Sequence, residues 1–201
     1  SNGVLVHAML RRFGARHCAH THVTDDPAAT LKAIRHATTD GTDLLITVGG
    51  VSAGERDFFH AAFEKAGVRL AVRGVAMQPG KPIAVGRTDA GMMVVALPGN
   101  PLSALVGLSL FGAPIIRKMN GAREPRPRWL PAVLCDDAQT PPRRRAYRPG
   151  QWREDGRVSL MRWHGSGNLC SAVAADGIVE LPPPGTPAMR GSTVRMLPFG
   201  W

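Results

Sequence analysis

Leu44-Leu45-Ile46-Thr47-Val48 is an unbroken apolar, β-favouring run that opens directly into Gly49-Gly50. It has no alternation of polar residues that would turn one face to water. Runs of this kind belong to strands of a parallel sheet, buried on both faces by helices. The flanking pattern agrees. Asp25-Asp26-Pro27 supplies an Asp cap and a first-turn Pro for a helix over 28–39, and a second helix is expected around 58–66. Val4, Leu5, Ala8 and Met9 lie at helical spacing, with Gly14 placed to stop that helix. Residues 15–23, 68–76, 82–87 and 92–97 read as strands, and 103–119 as a long apolar helix despite Gly107 and Gly112. Strand and helix in alternation predict an α/β unit over 1–121, three layers α/β/α around a mostly parallel sheet.

After Gly121 the pattern changes. Residues 122–130 are rich in Pro and Arg and read as a linker. Short runs follow at 132–135, 145–152, 157–163, 168–174, 177–182 and 192–197, separated by turn signals, with Arg153-Glu154-Asp155-Gly156-Arg157 as a hairpin. Residues 131–201 are therefore expected to form a small all-β barrel or sandwich. Trp129, Trp152, Trp163 and Trp201 are expected to fill its core. Pro182-Pro183-Pro184-Gly185 reads as a stiff loop.

Of the 201 residues 44% are hydrophobic and 20% charged, a balance that fits a packed, soluble protein and excludes wholesale disorder. The longest apolar run is broken by Gly and Pro, so no membrane span is expected, and no secretion signal opens the sequence. Cys18, Cys135 and Cys170 fit neither a disulfide framework nor a zinc site, which favours a reducing cytoplasm. Twenty-five Lys and Arg against fifteen Asp and Glu give a formal charge of +10, which favours anionic partners. Aromatics are only 5%, too few to interleave with the basic residues of a nucleic-acid surface, so no nucleic acid is expected. His7, His17, His20, His22, His36, His60 and His164 show no metal-ligand spacing. His164, beside Gly165-Ser166, is the one histidine placed to touch a site.

In an open α/β sheet the ligand crevice lies beyond the carboxyl ends of the strands. The segment Gly49-Gly50-Val51-Ser52-Ala53-Gly54-Glu55-Arg56-Asp57 falls there. Its glycines and the Ser52 hydroxyl suit two uses. They can present backbone N–H groups to a phosphate at a helix start, or they can make a tight turn with a cap. Asp57 can likewise cap the next helix or hold a metal over a phosphate. The segment is neither a Gly-Lys-Ser/Thr phosphate loop nor a dinucleotide fingerprint. Leu97-Pro98-Gly99-Asn100-Pro101 fixes a second stiff turn at a strand mouth, with Asn100 both donor and acceptor. A third, Met77-Gln78-Pro79-Gly80-Lys81-Pro82, presents Lys81 as a compact positive charge. Ser52 and Ser166 read as hydroxyl donors, not nucleophiles.

Taken together, residues 43–57, Pro79-Gly80-Lys81-Pro82 and Leu97-Pro98-Gly99-Asn100-Pro101 resemble, in order and spacing, the molybdopterin molybdenumtransferases of the MoeA/gephyrin family. Ser1-Asn2-Gly3, Asp25-Asp26-Pro27, Met119-Asn120-Gly121, His164-Gly165-Ser166-Gly167-Asn168-Leu169 and Gly191-Ser192-Thr193-Val194 look like that family too. The resemblance implies insertion of molybdate into adenylylated molybdopterin, with a divalent cation such as Mg2+ and release of AMP. It implies that Gly49, Gly50, Ser52 and Gly54 contact the phosphate groups, with Pro98, Gly99, Asn100 and Pro101 shaping the pterin pocket. Lys81 and Asp57 take catalytic roles, Asp57 also beside the metal, and Arg148 and Ser166 hold molybdate. A homodimer and an adenylyltransferase partner of the same pathway are also implied.

Three departures stand out. Gln78 replaces a lysine common in the family, Pro149-Gly150 stand where a regular strand is expected, and the family's two further N-terminal domains are absent. The chain therefore reads as the C-terminal portion of a longer protein. Two alternatives are an adenylyltransferase of the MogA type, which normally lacks the terminal β-module, and a gephyrin-like peptide-binding scaffold.

Overall fold

The computed structural model describes residues 2–50, 56–162 and 170–199. The first part opens with α1 (Asn2–Arg12) and α2 (Pro27–Thr39), followed by β1 (Leu44–Val48), α3 (Arg56–Lys65), β2 (Val68–Arg73) and β3 (Met77–Gln78). After these come β4 (Ala84–Thr88), β5 (Met93–Leu97) and a helical run made of α4 (Pro101–Gly107), a π-helical turn (Leu108–Gly112) and α5 (Ala113–Met119). The expected cap of α2 is present: Asp26 accepts from the Ala29 N–H at 2.6 Å, with Pro27 leading the first turn.

Four strands form a sheet in the order β1-β5-β4-β2, with helices packed on both faces. Val6, Val95, Leu97, Leu102, Val106 and Leu108 lie in the core on one face, and Ile34, Phe63, Val68, Val94 and Ala96 on the other. The α/β class is as expected, but the sheet is mixed. β1 pairs with β5 in parallel, while β4 pairs antiparallel with both β5 and β2. The reason is local: β4 and β5 are joined by the short Asp89-Ala90-Gly91-Met92 turn, which leaves no room for a crossover.

Other local expectations are corrected. Residues 15–23 form no strand. Val4 and Ala8 face solvent, while buried Val6 and half-buried Leu5, Met9 and Leu10 of α1, with Phe13 just beyond its end, pack against the core. The Pro101–Met119 run is, by length and hydropathy, long enough to cross a membrane, and 61% of it is buried inside the protein. Its glycines do not break it. Gly107 lets Ile83 and Leu97 pack close, and the π-helical turn precedes Pro114, whose missing N–H would otherwise interrupt a regular ladder.

The second part holds β6 (Leu130–Val133), β7 (Arg145–Trp152), β8 (Val158–Leu160), α6 (Cys170–Val173), β9 (Gly177–Glu180) and β10 (Thr193–Pro198). The hairpin forms between β7 and β8, with Gly156 at positive φ in its turn. Residues 170–173, expected as strand, are a helical turn. The module's core is aliphatic, with Leu134, Val158, Val179, Leu181, Val194 and Met196 buried. Among the described residues no tryptophan is buried in it. Trp152 packs at its margin, and Trp129 stacks on Tyr147 with the Arg195 guanidinium 5.2 Å from its ring centre. Trp163 and Trp201 lie outside the described residues.

One strand crosses between the parts. β3 pairs in parallel with β7, Met77 opposite Arg145 and Gln78 opposite Ala146, so the second sheet runs β3-β7-β9-β10-β6. Ala172, Ile178 and Leu197 of the second part share a core with Met77, Ile83 and Leu97 of the first.

Candidate active site at the sheet rim

β1 and β5 run side by side in register, Val48 opposite Leu97, so the chains that leave their carboxyl ends emerge together. The Gly49 N–H donates to the Leu97 carbonyl at 3.0 Å, which closes the pair. A Cβ built on Gly99 would lie 3.5 Å from the Gly49 Cα, so the two loops meet backbone to backbone. Both Gly49 (φ +95°) and Gly50 (φ +68°) occupy the left-handed region that favours glycine. At Gly50 space excludes a side chain as well, because a Cβ there would fall 1.7 Å from the Phe59 ring of α3. The Gly49 N–H is thus spent within the fold, and the first backbone N–H beyond it is that of Gly50.

The Leu97–Pro101 turn enters the apolar helix directly. Pro98 is buried, Gly99 and Asn100 are exposed, Pro101 is half-buried, and the Asn100 carbonyl accepts from the Ala104 N–H at 3.0 Å. Sequence reasoning missed the device that holds this turn. Asn2 donates through Nδ2 to the Gly99 carbonyl at 2.5 Å across ninety-seven positions, and its buried Oδ1 has no partner among the described residues. Nothing but the order Ser1-Asn2-Gly3 could have signalled that contact.

The third turn reaches the same rim through antiparallel pairing. Ala84 at the start of β4 sits opposite Ala96 near the end of β5, which brings residues 79–83 to the end of β5. Pro79 and Gly80 are buried, the Gln78–Pro79 peptide is cis, and Ile83 packs against Gly107 and Leu97. Lys81 stands exposed, its carbonyl accepting from the Val75 N–H at 2.9 Å.

Arg148 lies on β7, two residues beyond the Gln78–Ala146 pair, and is 9% exposed. Burial pushes its guanidinium down to about 10, and its Nη1 donates to the Tyr147 carbonyl at 3.3 Å. On the neighbouring positions Glu180 is buried among cations. It accepts from Arg195 Nε at 2.8 Å and from the Tyr147 hydroxyl at 3.3 Å, with Arg145 at 3.7 Å. Burial first, then the Glu180 charge, push the Tyr147 phenol up to about 12.

The structure therefore brings Gly49, Gly50, Pro98, Gly99, Asn100, Pro101 and Lys81 to one end of the sheet. Arg148 is tied to them through β3. Ser52, Gly54, Ser166 and His164 lie outside the described residues, as does the side chain of Asp57, whose backbone is the second residue of α3. Among the described residues no group of three or more His, Cys, Asp or Glu side chains is placed to hold a metal.

A family model described as "Probable molybdopterin binding domain" matches residues 1–118, and one described as "MoeA C-terminal region (domain IV)" matches residues 124–199. The chain belongs to the MoeA family. It is 36% identical over 188 residues to molybdopterin molybdenumtransferase 2 of Mycobacterium tuberculosis, covering 90% of this chain and 46% of that protein. It is 30% identical over 204 residues to the molybdopterin molybdenumtransferase of a Nostoc species, covering 98% and 47%. The crystal structure of a molybdopterin biosynthesis MoeA protein from Pyrococcus horikosii superposes with a TM-score of 0.83 at 26% identity, covering 100% of this chain and 48% of that one. The chain thus spans about half the length of the relatives it matches.

Proposed function

We propose that this chain holds the anionic tail of adenylylated molybdopterin, and that the longer protein inserts molybdate with release of AMP. The observation that carries this reading is the meeting of the Gly49-Gly50 and Pro98–Pro101 turns at a rim that also presents Lys81. The family matches over both parts of the chain support it.

In this reading Gly49 lets the two turns touch, and the donors to phosphate run from Gly50 through Ser52 and Gly54. Pro98, Gly99, Asn100 and Pro101 shape the pterin pocket. Lys81 stabilises the negative charge that builds up as the phosphoanhydride breaks. Asp57, the second residue of α3, is assigned to that bond. A divalent cation such as Mg2+ would be held by Asp57 and the substrate phosphates, a common arrangement for that ion. The described residues alone build no ligand set for it. Arg148 and Ser166 hold molybdate. Arg148 suits an oxyanion because burial has already removed much of its hydration.

The division into a pterin-binding unit at 1–121, a linker at 122–130 and a β-module at 131–201 belongs to the same proposal. So do a homodimer of the longer protein, a pathway adenylyltransferase as the donor of substrate, and a cytoplasmic location.

The test is to incubate the parent protein with adenylylated molybdopterin, molybdate and magnesium and to follow AMP. Asp57→Ala is expected to bind the pterin and release no AMP; unimpaired release removes Asp57 from the mechanism. Ser166→Ala is expected to weaken the dependence on molybdate specifically, and an unchanged dependence counts against the β-module's role.

A further inference from the structure

Charge is spread unevenly over this chain. Residues 1–24 and 90–123 together hold six Lys and Arg and no Asp or Glu, so they carry more than half of the formal charge of +10. These stretches include β5, inside the sheet, and the helices that cover one face of it, α1 and the Pro101–Met119 run. Both helices begin at the rim, where Asn2 bonds to Gly99 and Pro101 follows Asn100. They also finish together, where Asn120 donates through Nδ2 to the Gly14 carbonyl at 3.1 Å. The cations gather around that contact. Arg11 and Arg12 lie in the last turn of α1 with Arg16 just beyond, and Arg117 and Lys118 lie in the last turn of α5 with Arg123 just beyond. All but Arg117 are exposed.

Capping does not account for them. The Arg11 and Leu10 carbonyls accept from the Gly14 and Ala15 N–H groups, and the Lys118 and Arg117 carbonyls from the Gly121 and Ala122 N–H groups, so backbone closes both helix ends. The two helix dipoles together offset about one positive charge, against six. Arg11 reaches the Arg16 carbonyl, and Arg117 is half-buried. Among the described residues the other four, Arg12, Arg16, Lys118 and Arg123, have no carboxylate within ion-pair distance. Beside them Met119 is 44% exposed, an apolar side chain amid unneutralised charge.

We propose that this end of the two helices is a docking surface for an acidic protein segment, one whose carboxylates surround an apolar side chain that covers Met119. Charge complementarity is the main reason, because a patch of one sign attracts and orients the opposite sign. Five of the six cations are guanidinium groups, which grip a carboxylate through two parallel hydrogen bonds. Methionine adapts to apolar partners of varied shape. Nucleic acid fits less well: Phe13, the aromatic side chain at this end, packs against the core and leaves no platform for a base. A membrane fits less well too, because Met119 alone offers little apolar area to insert. The 11 residues of α1 place the patch about 16 Å from the rim, so a partner seated there leaves the rim open.

The test titrates the chain with fluorescent peptides of about a dozen residues at about 0.15 M salt, where attraction beyond about 8 Å is screened. One peptide carries Glu at most positions around a central Leu, and in a second Gln replaces every Glu. No pterin or molybdate is involved, so the result is independent of the proposed activity. The acidic peptide is expected to bind and the Gln peptide not, with chemical-shift changes at the Met119 methyl and at the Gly14 and Lys118 amides. Arg12→Gln with Lys118→Gln is expected to weaken binding about fivefold or more, an exposed ion pair being worth up to about a factor of five. Arg143→Gln with Arg144→Gln removes the same charge from the β-module and is expected to leave the affinity within about twofold. Met119→Ser, which leaves the charge unchanged, is expected to weaken binding as well. Four results overturn the inference: no binding of the acidic peptide, equal losses from the two double variants (attraction to net charge alone), an unchanged affinity in Met119→Ser, and tighter binding of duplex DNA or phosphatidylserine vesicles than of the peptide.

Discussion

Gly50→Ala tests how the first turn is held. The substitution has two costs that the structure separates. Gly50 sits at φ +68°, where an L-residue pays about 1–2 kcal/mol. Its new methyl would also fall 1.7 Å from the Phe59 ring, and forcing extra volume into a packed contact costs about 1–3 kcal/mol. Together they predict a loss of about 2–5 kcal/mol, read from urea unfolding as a lower midpoint at constant slope. In a Phe59→Ala background the obstruction is gone, and the same change should cost only the backbone part, a coupling of about 1–3 kcal/mol. Gly49→Ala is the control. No atom of the described residues beyond its chain neighbours lies within 4 Å of its built Cβ, so its cost should be the same in both backgrounds. Equal costs of Gly50→Ala with and without the ring would refute the steric argument.

Three further outcomes are expected. Asp26→Ala removes the cap of α2 and should lower stability by about 1 kcal/mol, with Asp26→Ser recovering most of it in the same unfolding measurement. Leu97→Ala empties a fully buried position under the rim and should cost about 2–5 kcal/mol; a loss below 1 kcal/mol would mean that the site collapses without harm. Tyr147 is the only tyrosine, so tyrosinate absorbance reports on it alone, and Glu180→Gln should move its midpoint down from about 12 without reaching the ordinary value, because burial remains the larger cause. The folded phenol holds its proton more tightly than the unfolded one. Its contribution to stability is therefore intact below about pH 10 and is lost as pH rises toward 12, a window that Glu180→Gln narrows.

The sequence was legible where a local rule fixes the outcome. The Asp26 cap, the Gly156 turn, the end of α1 at Gly14 and the rim turns all follow from residue chemistry over a few positions. Strand direction was not legible, because the β4–β5 turn decides it and an apolar run has no direction written in it. Residues 15–23 misled because a strand forms only where a neighbouring strand bonds it, which no local residue pattern reports. The Asn2–Gly99 contact and the Phe59 ring over Gly50 arise from tertiary proximity, and no periodicity announces them. Trp129 and Trp152 misled for a related reason: aliphatic side chains from facing strands already occupy the β-module's interior among the described residues.

The pairing of Met77 and Gln78 with Arg145 and Ala146 has a mechanical consequence. A hinge at the Pro- and Arg-rich connection could not swing the two halves apart without unzipping that ladder and splitting an interior to which both contribute. The distance between the loop bearing Lys81 and the strand bearing Arg148 is therefore set like two teeth on one comb, and cleavage within 122–130 should leave a nicked but associated molecule.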